Sequence, residues 1–179
     1  MLRASQAGFT LLEVLIAVLV LALGMVGGLA MQLHALRARH ESALLSNATQ
    51  LAAGALERLR ANPGQQASYL TLDFDAASEP SPASSAACFA RACSAAELAA
   101  MDIADIKRLA ASMLPLARIR LCRDRMGWQG GRWRWPCSGE SDAPIVVKVG
   151  WRMRQPAGAA AGGAGREHPV LAMPLGSLP

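Results

Sequence analysis

The strongest pattern in the chain is a continuous apolar run over residues 14–31, VLIAVLVLALGMVGGLAM, which contains no charged side chain. Helical residues rise about 1.5 Å each, so the run covers about 27 Å, close to the hydrocarbon thickness of a bilayer. Glu13 directly precedes the run, and an ionised carboxylate there is costly unless a cation or a water-filled cavity receives it. The pattern predicts a membrane-spanning helix whose acidic residue requires a partner.

Beyond residue 31 the pattern becomes amphipathic and continues to Asn62. Pro63 ends the predicted helix, because the residue before a proline is pushed out of the α region. Three glycines inside the apolar run either bend or melt the helix, or let neighbouring helices approach closely; these are Gly24, Gly27 and Gly28. Apolar residues recur at three-, four- and eight-residue spacings, which predicts one face packed on a globular part: Leu36, Leu44, Ala48, Leu51, Ala55 and Leu59.

The rest of the chain predicts a small head of strands and one more helix. Ser94 and Glu97 have the spacing of a capping box, and the apolar repeat that follows predicts a helix over residues 97–113. Alternation predicts strands over 116–123 and 145–154, with Lys148 on the solvent face, and shorter strands over 69–72 and 170–173. Low-complexity loops are predicted over 78–87 and 157–165. The expected fold class is α+β, with one long helix packed on a small antiparallel sheet and one extra short helix.

Residues 8–17, GFTLLEVLIA, resemble the processing signal of type IV pilins and pseudopilins. The resemblance implies the pilin fold and a prepilin peptidase that cleaves after Gly8 and methylates the new amino terminus at Phe9. It also implies that Glu13 pairs with the terminal amine of a neighbouring subunit. Physical chemistry agrees, because a buried amine and a buried carboxylate are each costly alone and offset one another when paired.

The similarity continues past the apolar run. Residues 27–32, 34–37, 48–52 and 57–63 are similar to the minor pilins of the PilV type. The resemblance implies a leader over 1–8, a membrane and filament-core half of the first helix over 9–31, an amphipathic half over 32–62 and a head over 63–179. The implied function is a structural subunit that primes a type IV pilus or is incorporated into it.

This resemblance also implies partners and a location. The partners are the major pilin, other minor pilins, the prepilin peptidase and the inner-membrane assembly platform. The head lies in the periplasm before assembly and on the pilus at the cell surface afterwards. Arg37, Arg39 and His40 follow the apolar run and would suit a cytoplasmic flank, so the orientation depends on the resemblance rather than on charge.

Other functions compete with this interpretation. A minor pseudopilin of a type II secretion system shares the signal and much of the architecture. An ordinary secretory signal or a plain single-pass anchor would leave Glu13 and the residues before it unexplained.

Four cysteines lie in the head: Cys88, Cys93, Cys122 and Cys137. An even count in an oxidising compartment favours disulfides, and four cysteines allow three pairings. We favour Cys88 with Cys93 and Cys122 with Cys137. Zinc is the rival, but the spacings lack the tight pairs of common structural zinc sites.

Arginine and tryptophan alternate over residues 118–135. Such a patch can bind phosphates and stack on bases, as in proteins that bind single-stranded nucleic acid. The competing interpretation, which the sequence favours, is a solvated strand face with a hairpin whose tryptophans fill the edge of a small core. The patch comprises Arg118, Arg120, Arg123, Arg125, Trp128, Arg132, Trp133, Arg134 and Trp135.

Composition adds little to these predictions. The 179 residues carry a net charge of +5, and loss of Arg3 with the leader would leave +4, a mild excess that permits acidic partners without requiring them. His34, His40 and His168 form no metal-ligand spacing or triad pattern, and no glycine-rich phosphate loop is present. We therefore expect no enzymatic activity, no cofactor and no metal.

Overall fold

The computed structural model describes residues 10–83, 88, 91–152 and 168–176. The elements along the chain are α1 (Leu11–Ala61), a 3-10 turn (Pro63–Gln65), α2 (Gln66–Tyr69), β1 (Asp73–Asp75), α3 (Ala95–Met113), β2 (Arg118–Arg123), β3 (Trp128–Gln129), β4 (Arg132–Trp133), β5 (Ile145–Gly150) and β6 (Leu171–Pro174). Strands β1, β2, β5 and β6 form one antiparallel sheet in the order β1-β2-β5-β6, and β3 pairs with β4 in a separate hairpin. The predicted α+β fold, a long helix with a small antiparallel sheet and short helices, is confirmed.

The chain divides into two compact units between Ala43 and Leu44. The first unit holds the apolar part of α1, whose helix continues through Gly24, Gly27 and Gly28 without a melted turn. Side chains added at these glycines would meet no atom within 4 Å.

The second unit holds the core. One face of α1, spaced every three or four residues, is buried from Leu44 to Leu59, as the amphipathic pattern predicts. It packs with α3 and with the inner face of the sheet, to which Phe74, Ile119, Val147 and Val149 contribute fully buried side chains.

Helix α3 begins where its capping signal predicts. Ser94 Oγ accepts a hydrogen bond from the Glu97 N–H at 3.3 Å, and Glu97 Oε2 accepts one from the Ser94 N–H at 2.8 Å. This capping box satisfies two backbone donors that a helix start otherwise leaves free. An ion pair with Arg91 and the Ser94 backbone lower the pKa of Glu97 to about 2.

The predicted strand over 69–72 is wrong. Tyr69 ends the short helix α2, and the strand lies later, at Asp73–Asp75. The tyrosine is fully buried, so packing in the core overrides the β propensity of its neighbours. Leu72 and Phe74, two residues apart, are the residues that point into the core.

The solvent-facing position predicted for Lys148 is also wrong. The alternation in β5 is correct, because Val147 and Val149 face the core, but all six residues of β5 are buried. Residues 124–138, which we call the hairpin loop, cover the outer face of the sheet. Lys148 therefore lies between two layers rather than in water.

Candidate functional site

The first candidate site is the start of α1. Gly8 and Phe9, the predicted cleavage and methylation positions, lie outside the described residues. The Glu13 N–H donates to Thr10 Oγ1 at 3.3 Å and to the Thr10 carbonyl at 3.1 Å, so the Thr10 side chain caps the start of α1. Glu13 lies in the first turn, where the helix dipole favours a negative charge. Its carboxylate forms no ion pair within the described ranges.

The apolar part of α1 presents its side chains outward. Within the described residues α1 is long and apolar enough to cross a membrane, with a mean hydropathy of 2.7 in its most apolar window and no residue of that window buried. Large apolar side chains from Leu11 to Leu36 are more than half exposed. A surface of this size requires lipid or protein neighbours.

Two disulfides pair the four cysteines in the arrangement that we preferred. The sulfur atoms of Cys88 and Cys93 lie 2.02 Å apart, and those of Cys122 and Cys137 lie 1.98 Å apart. The second disulfide ties the end of the hairpin loop to β2. With both pairs formed, no thiol remains for zinc, and the described residues contain no cluster of three potential metal ligands.

The structure divides the arginine and tryptophan patch into two parts. In the inner part, Trp135 is 5% exposed and its ring lies 4.3 Å from the Arg118 guanidinium carbon. Asp73 pairs with Arg118 at 3.7 Å and with Arg120 at 3.5 Å. These three patch residues therefore pack and pair with the sheet itself.

The outer part of the patch is the β3–β4 hairpin. Trp128 and Trp133 are directly opposite one another, with ring centroids 5.0 Å apart in an edge-to-face arrangement. Arg134 donates to Gln129 Oε1 at 2.6 Å, and an Arg132 nitrogen lies 3.0 Å from His168 Nε2. Trp128 is 56% exposed, so this part of the patch faces solvent.

A buried ion pair fixes the hairpin loop over the sheet. Lys148 Nζ lies 2.5 Å from Asp124 Oδ2, with both side chains almost completely buried. The ammonium also donates to the carbonyls of Arg134 at 2.7 Å and Pro136 at 2.9 Å. The ammonium therefore has one carboxylate and two carbonyl groups of the loop around it, and such pairing and hydrogen bonding make a buried charge tolerable.

Asp124 completes this anchor from the loop side. Its Oδ1 accepts hydrogen bonds from the N–H groups of Met126 at 3.2 Å and Ser138 at 3.3 Å. A Cβ at Gly127 would lie 2.8 Å from Asp124 Oδ2 and 3.4 Å from the Trp133 ring, so glycine permits this close packing. The sequence alone gives no sign of this pair, because no local spacing relates residues 124 and 148.

A second charged network connects α1 with α3. Arg58 on α1 lies 3.2 Å from Asp102 and 3.7 Å from Asp105, and the Tyr69 hydroxyl donates to Asp102 at 2.6 Å. Burial and the Asp102 carboxylate raise the pKa of Tyr69 to about 12. The network has a structural role, since it joins helices within the head.

Comparison with known protein families gives two adjoining matches. Residues 3–29 match the prokaryotic N-terminal methylation motif, and residues 30–104 match the family of the type IV pilin Tt1218. Residues 105–179, which include the hairpin loop, lie beyond both matches. No protein of curated function and no solved structure shows a significant match.

The family matches and the geometry agree on the amino-terminal part of the molecule. The methylation motif covers the start of α1 and most of its exposed apolar surface. The pilin match then covers the amphipathic part of α1 and the first half of α3. The chain thus carries an N-terminal methylation motif followed directly by a Tt1218-like type IV pilin region, and pilins of this kind are structural subunits rather than enzymes.

Proposed function

We propose that this protein is a minor pilin of the PilV-like type. After cleavage behind Gly8 and methylation of Phe9, it enters a type IV pilus as a subunit or primes its assembly. The observation that carries the proposal is an exposed apolar helix whose first part lies within a methylation motif. Such a surface needs lipid before assembly and equivalent helices afterwards.

Glu13 supplies the specificity of the transfer from lipid to filament. Its carboxylate lies at the edge of the apolar run and has no cationic partner within the described residues. Cleavage behind Gly8 would create an amine at Phe9, and the amine of a neighbouring subunit would neutralise the carboxylate. Each group is costly to bury alone, so pairing favours one register between neighbours.

The head has features that suit a location outside the cytoplasm. Two disulfides close within it, and disulfides persist in oxidising compartments such as the periplasm. We therefore place the head in the periplasm before assembly and on the pilus afterwards. The proposed partners are the major pilin, the other minor pilins, the prepilin peptidase and the inner-membrane assembly platform.

Mass spectrometry of protein recovered from sheared filaments tests this function. We expect a mature chain that begins at N-methylated Phe9, with residues 1–8 removed. A chain in the filament or membrane that still begins at Met1 would overturn the proposal. Recovery of the mature chain with a secretion complex, and its absence from pili, would instead identify a pseudopilin.

The role of Glu13 is tested by Glu13→Ala, with Glu41→Ala as a matched control on the exposed surface of the same helix. We expect Glu13→Ala to enter the membrane normally and to be lost from filaments, and Glu41→Ala to assemble normally. The reverse pattern, with failed membrane insertion and normal assembly of the inserted fraction, would contradict the proposed pairing.

A further inference from the structure

The β3–β4 hairpin carries a pair of tryptophans that lies outside the hydrophobic core. Gly130 and Gly131 form its two-residue turn with φ of 59° and 77°, the left-handed conformation that tight hairpin turns need. Trp128 and Trp133 share one face of the ribbon. Trp128 is 56% exposed, so much of its ring is accessible to a ligand.

The tryptophan face forms one wall of a slot. The opposite wall comes from Val146 on β5 and from Ala172 and Pro174 on β6, and the slot has a volume of about 430 Å³. This volume lies within the range of ligand-binding pockets, about 300–1,000 Å³, which apolar and aromatic side chains typically line. A flat, largely apolar group fits these walls.

The charged groups of the slot are already engaged. Asp124 pairs with Lys148, and Arg125 pairs with Glu140 at 2.9 Å and with Asp142 at 2.5 Å. A sugar ring would need polar partners for its hydroxyl groups, and these side chains do not supply them. The slot therefore favours stacking over a network of hydrogen bonds.

The other face of the ribbon carries cationic groups. Arg132 and Arg134 alternate with Trp133 and so lie opposite the tryptophan face. Neither guanidinium has a carboxylate within 4.0 Å in the described part of the chain; their polar neighbours are His168 and Gln129. Guanidinium groups of this kind bind phosphates well. Because the ribbon is a single layer, one ligand that passes over its edge can contact both faces.

From these observations we propose that the hairpin binds single-stranded nucleic acid. A base lies in the slot against Trp128 and Trp133, and the backbone passes over the ribbon edge so that its phosphates meet Arg132 and Arg134. A duplex keeps its base faces stacked inside and cannot offer one to the slot. An uncharged apolar peptide would leave both guanidinium groups without an anion. This activity goes beyond a structural role in the filament and does not depend on it.

Fluorescence anisotropy with a labelled oligothymidine, titrated with the full-length protein in detergent, tests the proposal. We expect salt-dependent binding of the labelled strand. An unlabelled single strand should compete with it, and an equal mass of duplex should not. Trp128→Ala should weaken binding roughly tenfold, the loss of one stacked base. Trp128→Phe should restore most of the affinity and Trp128→Leu should not, since only phenylalanine keeps an aromatic face.

The cationic contribution is tested with Arg132→Gln/Arg134→Gln. Loss of two phosphate contacts should reduce the slope of log K against log salt by about 1.4 for a single strand. The matched control is Arg37→Gln/Arg39→Gln, which removes the same charge from the exposed surface of α1 and should leave the slope unchanged. Two measurements establish that each variant is folded. Far-UV circular dichroism reports its secondary structure, and non-reducing mass spectrometry shows that its disulfides are intact.

Three outcomes would overturn the proposal. If the protein did not bind oligothymidine at low salt, the proposal would be refuted directly. An equal effect of the two double variants would show attraction to net charge alone. Competition by an acidic polysaccharide and not by single-stranded DNA would assign the hairpin to a different ligand. None of these results bears on whether the protein assembles into a pilus.

Discussion

Replacing Lys148 by methionine removes one partner of the buried ion pair that holds the hairpin loop against the sheet. The substitution keeps an unbranched apolar stem of similar length, so it creates little cavity. It leaves the Asp124 carboxylate buried without a cation, and it leaves the carbonyls of Arg134 and Pro136 without their donor. Breaking such a pair costs about 3–5 kcal/mol, a large part of the roughly 5–15 kcal/mol that stabilises a typical domain.

Urea unfolding of the full chain in detergent, followed by tryptophan fluorescence, measures this loss. All four tryptophans lie between residues 128 and 151, so the signal reports on the head. The control is Lys107→Met, because Lys107 is a partly exposed lysine that pairs with Glu79 at 3.4 Å. Its loss should cost about 1 kcal/mol or less.

A second variant separates the lost pair from lost packing. Lys148→Met/Asp124→Asn replaces the charged carboxylate by an amide whose oxygen can still accept from the backbone of the hairpin loop. We expect the double variant to be more stable than Lys148→Met alone, because no uncompensated charge remains. If Lys148→Met changed the free energy of unfolding no more than Lys107→Met, the buried pair would not be what fixes the loop.

Further predictions concern the disulfide, the α1–α3 network and the helix cap. Cys122→Ser/Cys137→Ser opens a loop with a sequence separation of 15 and should cost about 3 kcal/mol in the same urea assay; an unchanged midpoint would contradict this. Because the pKa of Tyr69 is raised to about 12, its stabilising contribution is complete below about pH 10 and lost as the pH rises towards 12. Tyr69→Phe should therefore be less sensitive than wild type to alkaline unfolding between these values. Ser94→Ala should cost about 1 kcal/mol and increase hydrogen exchange in the first turn of α3, with the last turn as the internal reference.

Local patterns were sufficient for most of the regular structure. The apolar run and its amphipathic continuation predicted α1, and the capping spacing at Ser94 predicted the start of α3. Alternation located β2 and β5 within a few residues. These signals succeed because helix and strand periodicities repeat over several residues in sequence. The short strand failed because burial of Tyr69 was decided by the core rather than by its neighbours.

The site depends on contacts between distant residues. Lys148 was placed on the correct face of β5, but that face is covered by a loop whose anchor, Asp124, lies 24 positions earlier. Trp128 and Trp135 are the same residue type in the same alternating segment, yet one is exposed and the other is buried. Which of them is buried depends on how the hairpin turns back over the sheet.

The sequence by itself determined that α1 contains an uncharged apolar run directly after Glu13. Composition and spacing are sufficient for this, because they decide whether a helical segment can lie in lipid. The sequence also predicted that the head combines a helix with a small antiparallel sheet. Only the tertiary structure decided which cations are neutralised internally and which face solvent, because that division depends on the path of the hairpin loop across the sheet.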